Sequence, residues 1–175
     1  MCGEFMNKKY IPTWYIPNVL KINMDQLISR NYQYLFCDID NTLVSPFVAL
    51  PDEKVINWVQ QIKNCGIKIV LISNNSEERV ALFAKKLNVD YIYKTKKPNP
   101  KKVLEYIHKQ RIDKKKVLAI GDQIMTDVLC ANRAKIDVLL VEKLEKKEQF
   151  ITFFPRRLDI FIRKRLKRKN LLREF

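Results

Sequence analysis

Residues 34–44, YLFCDIDNTLV, constrain what this chain can fold into more than any other stretch. Tyr34, Leu35, Phe36 and Cys37 form an apolar, aromatic-rich run suited to a strand buried on both faces, and the run stops abruptly at Asp38, Asp40, Asn41 and Thr42. In an open sheet of parallel strands, ligands bind beyond the carboxyl ends of the strands. Two acids at that point are placed for chemistry rather than for solubility.

The segments that follow repeat the pattern. Pro51 and Asp52 open a predicted helix in which Val55, Ile56, Val59 and Ile62 recur at helical spacing, and Gly66 stands where a C-terminal cap belongs. Residues 67–72 form a second apolar strand, ending in Ser73, Asn74 and Asn75. Ser76, Glu77 and Glu78 suit a helix start, with Val80, Ala81, Phe83, Ala84 and Leu87 on the inner face. Residues 91–93 read as a short strand, and the basic loop 94–102 feeds a helix near Asn99 and Pro100. A fourth strand, 117–120, ends at Gly121 and Asp122. A helix over about 127–135 and a fifth strand, 136–141, complete the alternation. The pattern predicts an α/β domain, a three-layer sandwich with a five-stranded parallel sheet and helices on both faces.

That domain spans 33–145, between an N-terminal arm (1–32) and a basic tail (146–175). The arm carries Phe5, Tyr10, Trp14 and Tyr15 around Pro12 and Pro17, with a short helix at 24–29. Either it wraps the domain and buries its aromatics, or Trp14 and Tyr15 sit at a membrane interface.

At 175 residues and 47% hydrophobic, the chain can bury a full core in one catalytic domain. Cys2, Cys37, Cys65 and Cys130 are widely separated and include no CxxC pair, which predicts reduced thiols and a cytoplasmic location. No basic start followed by an unbroken apolar stretch marks a secretory leader, and runs such as 69–72 and 138–141 fall far short of the ~20 residues that span a bilayer. The extreme value is the net charge of +15. The last 25 residues hold nine Lys or Arg against Asp159 and Glu174, an asymmetry that calls for an anionic partner, a membrane surface or nucleic acid.

Successive strand ends present Asp38 with Asp40, Ser73 with Asn74, Lys97, and Asp122 with Asp127. Singly, each reads as a turn or helix cap. Together they suggest phosphoryl transfer with a carboxylate nucleophile. Asp38 would attack phosphorus, and Asp40 would protonate the leaving oxygen and then activate water. Asp38, Asp40 and Asp122 would gather a cation, and oxygen-only ligands favour Mg²⁺. Ser73 would hold phosphoryl oxygens, Lys97 would neutralise charge, and Thr42 and Asn74 are further candidates for phosphate contact. Lys94 and Lys96 compete with Lys97 for its role. His108, the sole histidine, falls on a predicted helix away from every strand end and reads as a surface residue.

Asp38-Ile39-Asp40-Asn41-Thr42 resembles motif I (DxDxT) of the haloacid dehalogenase (HAD) superfamily, Ser73 its motif II, Lys97 its motif III, and GDQIMTD (121–127) its acidic motif IV. LISNN, KKP, GDQIMTD and the tail FFPRRLDIFIRKRLKRK together resemble the YqeG-type branch of HAD subfamily IIIA, relatives of mitochondrial phosphatidylglycerophosphate phosphatases. The resemblance implies Asp38 as nucleophile, Asp40 as acid/base offering the metal its backbone carbonyl, Ser73 and Lys97 as phosphate ligands, Asp122 as a metal ligand, and Asp127 as a weaker one acting through water.

Spacing bears on substrate size. Only 32 residues separate Asp40 from Ser73, and 23 separate Ser73 from Lys97, so neither interval holds a cap domain. The site should be open apart from a small flap at 45–50, which favours a bulky or surface-held substrate. In the tail, Leu158, Phe161, Ile162 and Leu166 lie at helical spacing beside a dense basic face, as in an interfacial amphipathic helix. The alternative is a helix docked on the domain. The expected enzyme is a Mg²⁺-dependent phosphomonoesterase, cytoplasmic or peripheral to the inner membrane face, acting on a phospholipid headgroup such as phosphatidylglycerophosphate. A soluble phosphorylated substrate, or a nucleic-acid or ribosome partner, stands as the alternative.

Overall fold

The structure, a computed structural model, describes residues 8–144 and 153–175. Cys2, Phe5 and the boundary expected at 145/146 lie outside the described residues. The sheet comprises β1 (Trp14–Ile16), β2 (Tyr34–Cys37), β3 (Lys68–Ile72), β4 (Asp90–Ile92), β5 (Val117–Gly121) and β6 (Asp137–Val141). All pairings are parallel, in the order β1-β6-β5-β2-β3-β4. The sheet therefore has six strands, one more than the sequence predicts. The extra strand lies in the arm, three residues flanked by Pro12 and Pro17, too short to display a period; it forms because Trp14, Tyr15 and Ile16 pair with Leu139, Leu140 and Val141 at the sheet edge.

Side chains alternate across the central strands. Leu35, Cys37, Ile69, Leu71, Leu118 and Ile120 join one core; Phe36, Val70, Ile72, Val117 and Ala119 join the other. Helices α2 (Glu53–Asn64) and α3 (Glu77–Leu87) cover the first face through Trp58, Val59, Ile62, Val80, Phe83 and Leu87, beside the short α1 (Met24–Ser29) with Leu27. Asp52 caps α2 by accepting the Val55 amide at 2.9 Å, and Gly66 follows it in the left-handed region at φ 75°. Ile56, counted in the helical spacing of α2, is exposed, and Trp58 is buried.

On the second face, α4 (Lys101–Lys109) presents Val103 and Ile107, and α5 (Leu129–Ala134) presents Cys130, Ala131 and Ala134. A π-helical turn, Ile124–Val128, precedes α5 where the sequence predicts the start of a plain helix. The C-terminal α6 (Phe153–Arg168) docks here through Ile162 and Leu166, while Leu158 and Phe161 of the expected apolar face are exposed. Among the described residues no helix is long and apolar enough to cross a membrane.

The arm's aromatics are bonded inward. Trp14 Nε1 donates to the Tyr32 hydroxyl at 3.0 Å, Tyr15 donates to Glu142 at 2.6 Å, and the Arg30 guanidinium lies over both Trp14 and Phe175. The free edge of β1 is covered by the chain end: Tyr15 N donates to Arg173 O at 2.6 Å, and Phe175 N to Tyr15 O at 3.0 Å. After β1 at the edge, the chain enters the middle of the sheet at β2, moves outward through β3 and β4, then returns to β5 on the other side of β2. The carboxyl end of β2 is thus the switch point, the position at which open parallel sheets bind their ligands.

Candidate active site

Asp38 extends the β2 ladder by one residue, its amide donating to Ile120 O at 2.9 Å, so its carboxylate emerges at the switch point. The chain then turns tightly. Asn41 takes a left-handed conformation at φ 63° and donates to Val44 O at 2.7 Å, which returns Thr42 Oγ1 to within 3.3 Å of Asp38 Oδ2.

Of the three lysines, Lys97 is the one that reaches the acidic group. Its Nζ donates to Asp38 Oδ1 (2.6 Å), Asp127 Oδ1 (2.6 Å) and Ile72 O (3.3 Å), matching its three protons, whereas Lys94 and Lys96 are exposed. The loop that delivers Lys97 is bolted to the end of β3. Asn74 Oδ1 accepts the Lys97 amide and the Thr95 hydroxyl, each at 2.8 Å, and its Nδ2 donates to Lys97 O at 3.3 Å. Its amide is thus engaged as a brace, an occupation the sequence reading did not assign. Ser73 is buried beside it, its hydroxyl accepting the Asn75 amide at 3.1 Å.

At the end of β5, Gly121 is required by space. A Cβ there would stand 2.3 Å from Asp127 Cγ. Asp127 folds back over the turn, its Oδ2 accepting the Gln123 amide at 3.0 Å. Asp38, Asp122 and Asp127 are all buried, and each has a carboxylate oxygen within 4.8 Å of the others'. Asp40, the fourth predicted ligand, stands outside this group. Its side chain is held by Asn75 Nδ2 and by Arg79 at 2.5 Å. Arg79 also donates to Pro46 O and Val48 O, tying the 45–50 flap to Asp40.

Three carboxylates face one ammonium in a buried space. Burial pushes the Asp38 carboxyl up to about 7; Lys97 pulls it down, and Asp127 opposes that pull. Burial also lifts Asp122 well above the ordinary carboxylate range, and the nearby Asp127 and Asp38 add to it. For Lys97, burial disfavours the charge, but Asp127 and Asp38 outweigh it and hold the ammonium protonated above its usual range. Both oxygens of Asp122 are buried without a hydrogen-bond partner. An unpaired buried carboxylate is costly, and a divalent cation is the partner that would both satisfy those oxygens and balance the excess negative charge. The donor set, all oxygen, fits a hard ion.

Sequence reading missed four residues here. Asn75 and Arg79 sit at the end of the LISNN stretch and in the first turn of α3, where the sequence reading gave neither a role in the site. Asp159 and Arg163 belong to α6: Asp159 Oδ1 accepts the Ile124 amide at 2.6 Å and the Met125 amide at 3.2 Å, and Arg163 donates to Asp122 O at 2.5 Å.

Residues 21–141 match the family of haloacid dehalogenase-like hydrolases. "Probable phosphatase YqeG" of Bacillus subtilis (strain 168) is 35% identical over 165 residues, covering 94% of this chain and 96% of that protein. An uncharacterized protein from Listeria monocytogenes serotype 4b superposes with a TM-score of 0.52 at 16% identity, over 75% of this chain and 99% of the other. A HAD family hydrolase of Streptomyces avermitilis MA-4680 gives 0.51 at 16% identity, over 63% and 67%. These two likenesses speak to the fold, and the first two matches to descent. The chain belongs to the haloacid dehalogenase-like hydrolases.

Proposed function

We propose that this chain is a Mg²⁺-dependent phosphomonoesterase working through an aspartyl-phosphate. The observation that carries the reading is the buried group of Asp38, Asp122 and Asp127 around Lys97, with both Asp122 oxygens unpartnered. Asp38 is the nucleophile, with one oxygen bonded to Lys97 and the other to Thr42. As its bond to phosphorus forms, the ester P–O bond breaks and Asp40 gives its proton to the leaving oxygen. Asp40 then takes a proton from water, whose oxygen attacks phosphorus and frees Asp38. Asn75 and Arg79 hold the Asp40 side chain for these two transfers.

Thr42, Ser73 and Lys97 receive the phosphoryl oxygens, and Asn74 contributes by fixing the Lys97 backbone. Asp38, Asp122, Asp127 and the Asp40 carbonyl would hold the Mg²⁺, which when bound supplies the positive charge that lets an anionic nucleophile approach an anionic ester. Residues 33–145 carry this chemistry, with arm and tail completing the sheet edge and the second helical layer.

The substrate we favour is a monoester on a bulky or surface-held molecule, with phosphatidylglycerophosphate the first to test. Supporting it are the single-helix spacings between motifs, which leave only the 45–50 flap beside Asp40. Phe47 in that flap is 62% exposed, and Leu158, Ile160 and Phe161 are exposed among the basic residues of α6. A second reading, a soluble phosphate monoester, is favoured by the docking of Ile162 and Leu166, which withdraws them from any membrane-facing stripe. Phosphate release with Mg²⁺, measured across phosphatidylglycerophosphate in mixed micelles, nucleotides and phosphosugars, decides. Turnover of the lipid far above the soluble esters supports the first reading; the reverse order supports the second, and no release from any ester defeats both.

A further inference from the structure

The acidic turn after β5 is held by a helix that comes from far along the chain. Asp159, 2% exposed, places Oδ1 on the amides of Ile124 and Met125 at the start of the π-helical turn. One helical turn on, Arg163 donates through one terminal nitrogen to Asp122 O (2.5 Å) and Val141 O (3.3 Å), and through the other to Val141 O and Glu142 Oε2 (each 3.3 Å). The two side chains approach each other across the helix, Arg163 Nε to Asp159 Oδ2 at 4.0 Å. Gln123 is thus bracketed: the carbonyl before it is held by Arg163, and the amide after it by Asp159.

The bracketed segment is the one that must hold still. Asp122 opens it and Asp127 closes it, and the two carboxylates reach one shared space only if the intervening backbone keeps its course. A helical turn leaves its first amides without intrahelical acceptors, and a carboxylate supplied from outside satisfies them and favours the helix's positive end. Within the turn itself, Gln123 N to Asp127 Oδ2 and Asp127 N to Gln123 O are local bonds that would move together with it. From outside the turn, Lys97 Nζ holds the Asp127 side chain at 2.6 Å, and Asp159 and Arg163 of α6 hold the backbone at Asp122, Ile124 and Met125.

We propose that Asp159 and Arg163 are positioning residues for metal binding: they lock the 122–127 turn so that Asp122 and Asp127 face one cation, and the docking of α6 is therefore part of the site. The proposal rests on the Mg²⁺ reading above, and its test is separate from turnover. Groups that orient metal ligands through hydrogen bonds are worth about 10–100-fold in metal affinity. A helix that is merely fastened to the domain by these contacts would lose thermal stability on their removal, with metal affinity unchanged.

The experiment titrates Mg²⁺ into the full chain by calorimetry, with no substrate, for wild type, Asp159→Ala, Asp159→Asn and Arg163→Lys, and records each thermal midpoint in EDTA. Asp159→Ala is expected to raise the Mg²⁺ Kd by about 10–100-fold, and Asp159→Asn, which keeps an acceptor oxygen, by only about three-fold. Arg163→Lys keeps the charge but loses the fork that reaches two carbonyls, and should raise Kd about ten-fold, which answers the question if Asp159→Ala does not fold. A lowered midpoint with Kd within about two-fold of wild type in both Asp159→Ala and Arg163→Lys overturns the proposal. Wild type that binds Mg²⁺ with the expected variant ranking but releases phosphate from no ester would defeat the phosphatase reading and leave the positioning role standing.

Discussion

Replacing Lys97 by Met keeps an unbranched side chain, one atom shorter, and removes the ammonium bonded to the acidic group. Lys97 is 7% exposed and its nitrogen contacts Asp38 and Asp127, each at 2.6 Å. Removing one partner from a buried ion pair leaves an uncompensated charge and costs about 3–5 kcal/mol. For a chain of this size each kcal/mol shifts the thermal midpoint by about 2–4 °C, so the metal-free variant should melt about 6–20 °C lower at about pH 8. The loss depends on pH with a defined sign. Asp38, with its folded value raised by burial to about 7, gains a proton as pH falls through that value, and a neutral carboxyl no longer needs Lys97. The same raised value makes this group's contribution to metal-free stability greatest at acid pH and lost as pH rises through 7. At about pH 5.5 the deficit should therefore shrink to roughly half. The assay is a pair of thermal melts in EDTA at the two pH values, with phosphate release at saturating Mg²⁺ falling about 10²–10³-fold in parallel. A midpoint loss under about 2 °C at the higher pH, or a larger loss at the lower one, would refute the charge accounting.

Three other perturbations separate stability from chemistry. Asp122→Asn removes a buried charge whose two oxygens lack partners, so in EDTA at about pH 8 the variant should melt about 2–4 °C higher, while its Mg²⁺-induced rise in midpoint disappears. Gly121→Ala would force a Cβ to within 2.3 Å of Asp127 Cγ; thermal melts should report a loss of about 1–3 kcal/mol and Mg²⁺ titration a weaker site, because Asp127 must swing off Lys97. Burial pushes the Cys130 thiol up to about 11, against a smaller downward pull from Lys97, and burial pushes the Cys37 thiol up further, with Asp38 adding to it. Peptide mapping after iodoacetamide at about pH 8 should find both unmodified in the native protein and modified in urea.

The parts of the molecule legible in the sequence were those where one physical demand dominates. A strand buried on both faces must be apolar, and the polar residues after Cys37, Ile72 and Gly121 mark where those strands end. The amphipathic runs of α2 and α3 announced themselves by spacing, although Ile56, counted in that spacing, is exposed and Trp58 is buried. β1 was not legible, since three residues between prolines carry no period and its pairing is set by the distant edge of β6. The tail was legible in part, docking on the domain being one of the two readings that its spacing allowed. Its apolar residues were counted as one stripe, yet the docked face is Asp159, Ile162, Arg163 and Leu166, at spacings of three, four and seven, with two charged residues turned inward toward backbone groups. Hydropathy cannot find a buried carboxylate whose partners are amides 34 and 35 positions away. The π-helical turn likewise has no compositional signature; only its consequence, two acids brought to one space, shows its use.

Hydrolysis through Asp38 requires a covalent bond between phosphorus and that carboxylate, and the most direct measurement looks for that bond. Wild type with Mg²⁺ is mixed with a phosphate ester labelled on phosphorus, quenched in acid within a single turnover, digested, and the peptide carrying residues 34–44 is analysed by mass spectrometry. Label is expected on Asp38, lost on treatment with hydroxylamine, absent from Asp38→Asn, and longer-lived in Asp40→Asn, where water is no longer activated. Phosphate released at the wild-type rate with no labelled peptide, or by Asp38→Asn as fast as by wild type, would contradict the covalent route through Asp38.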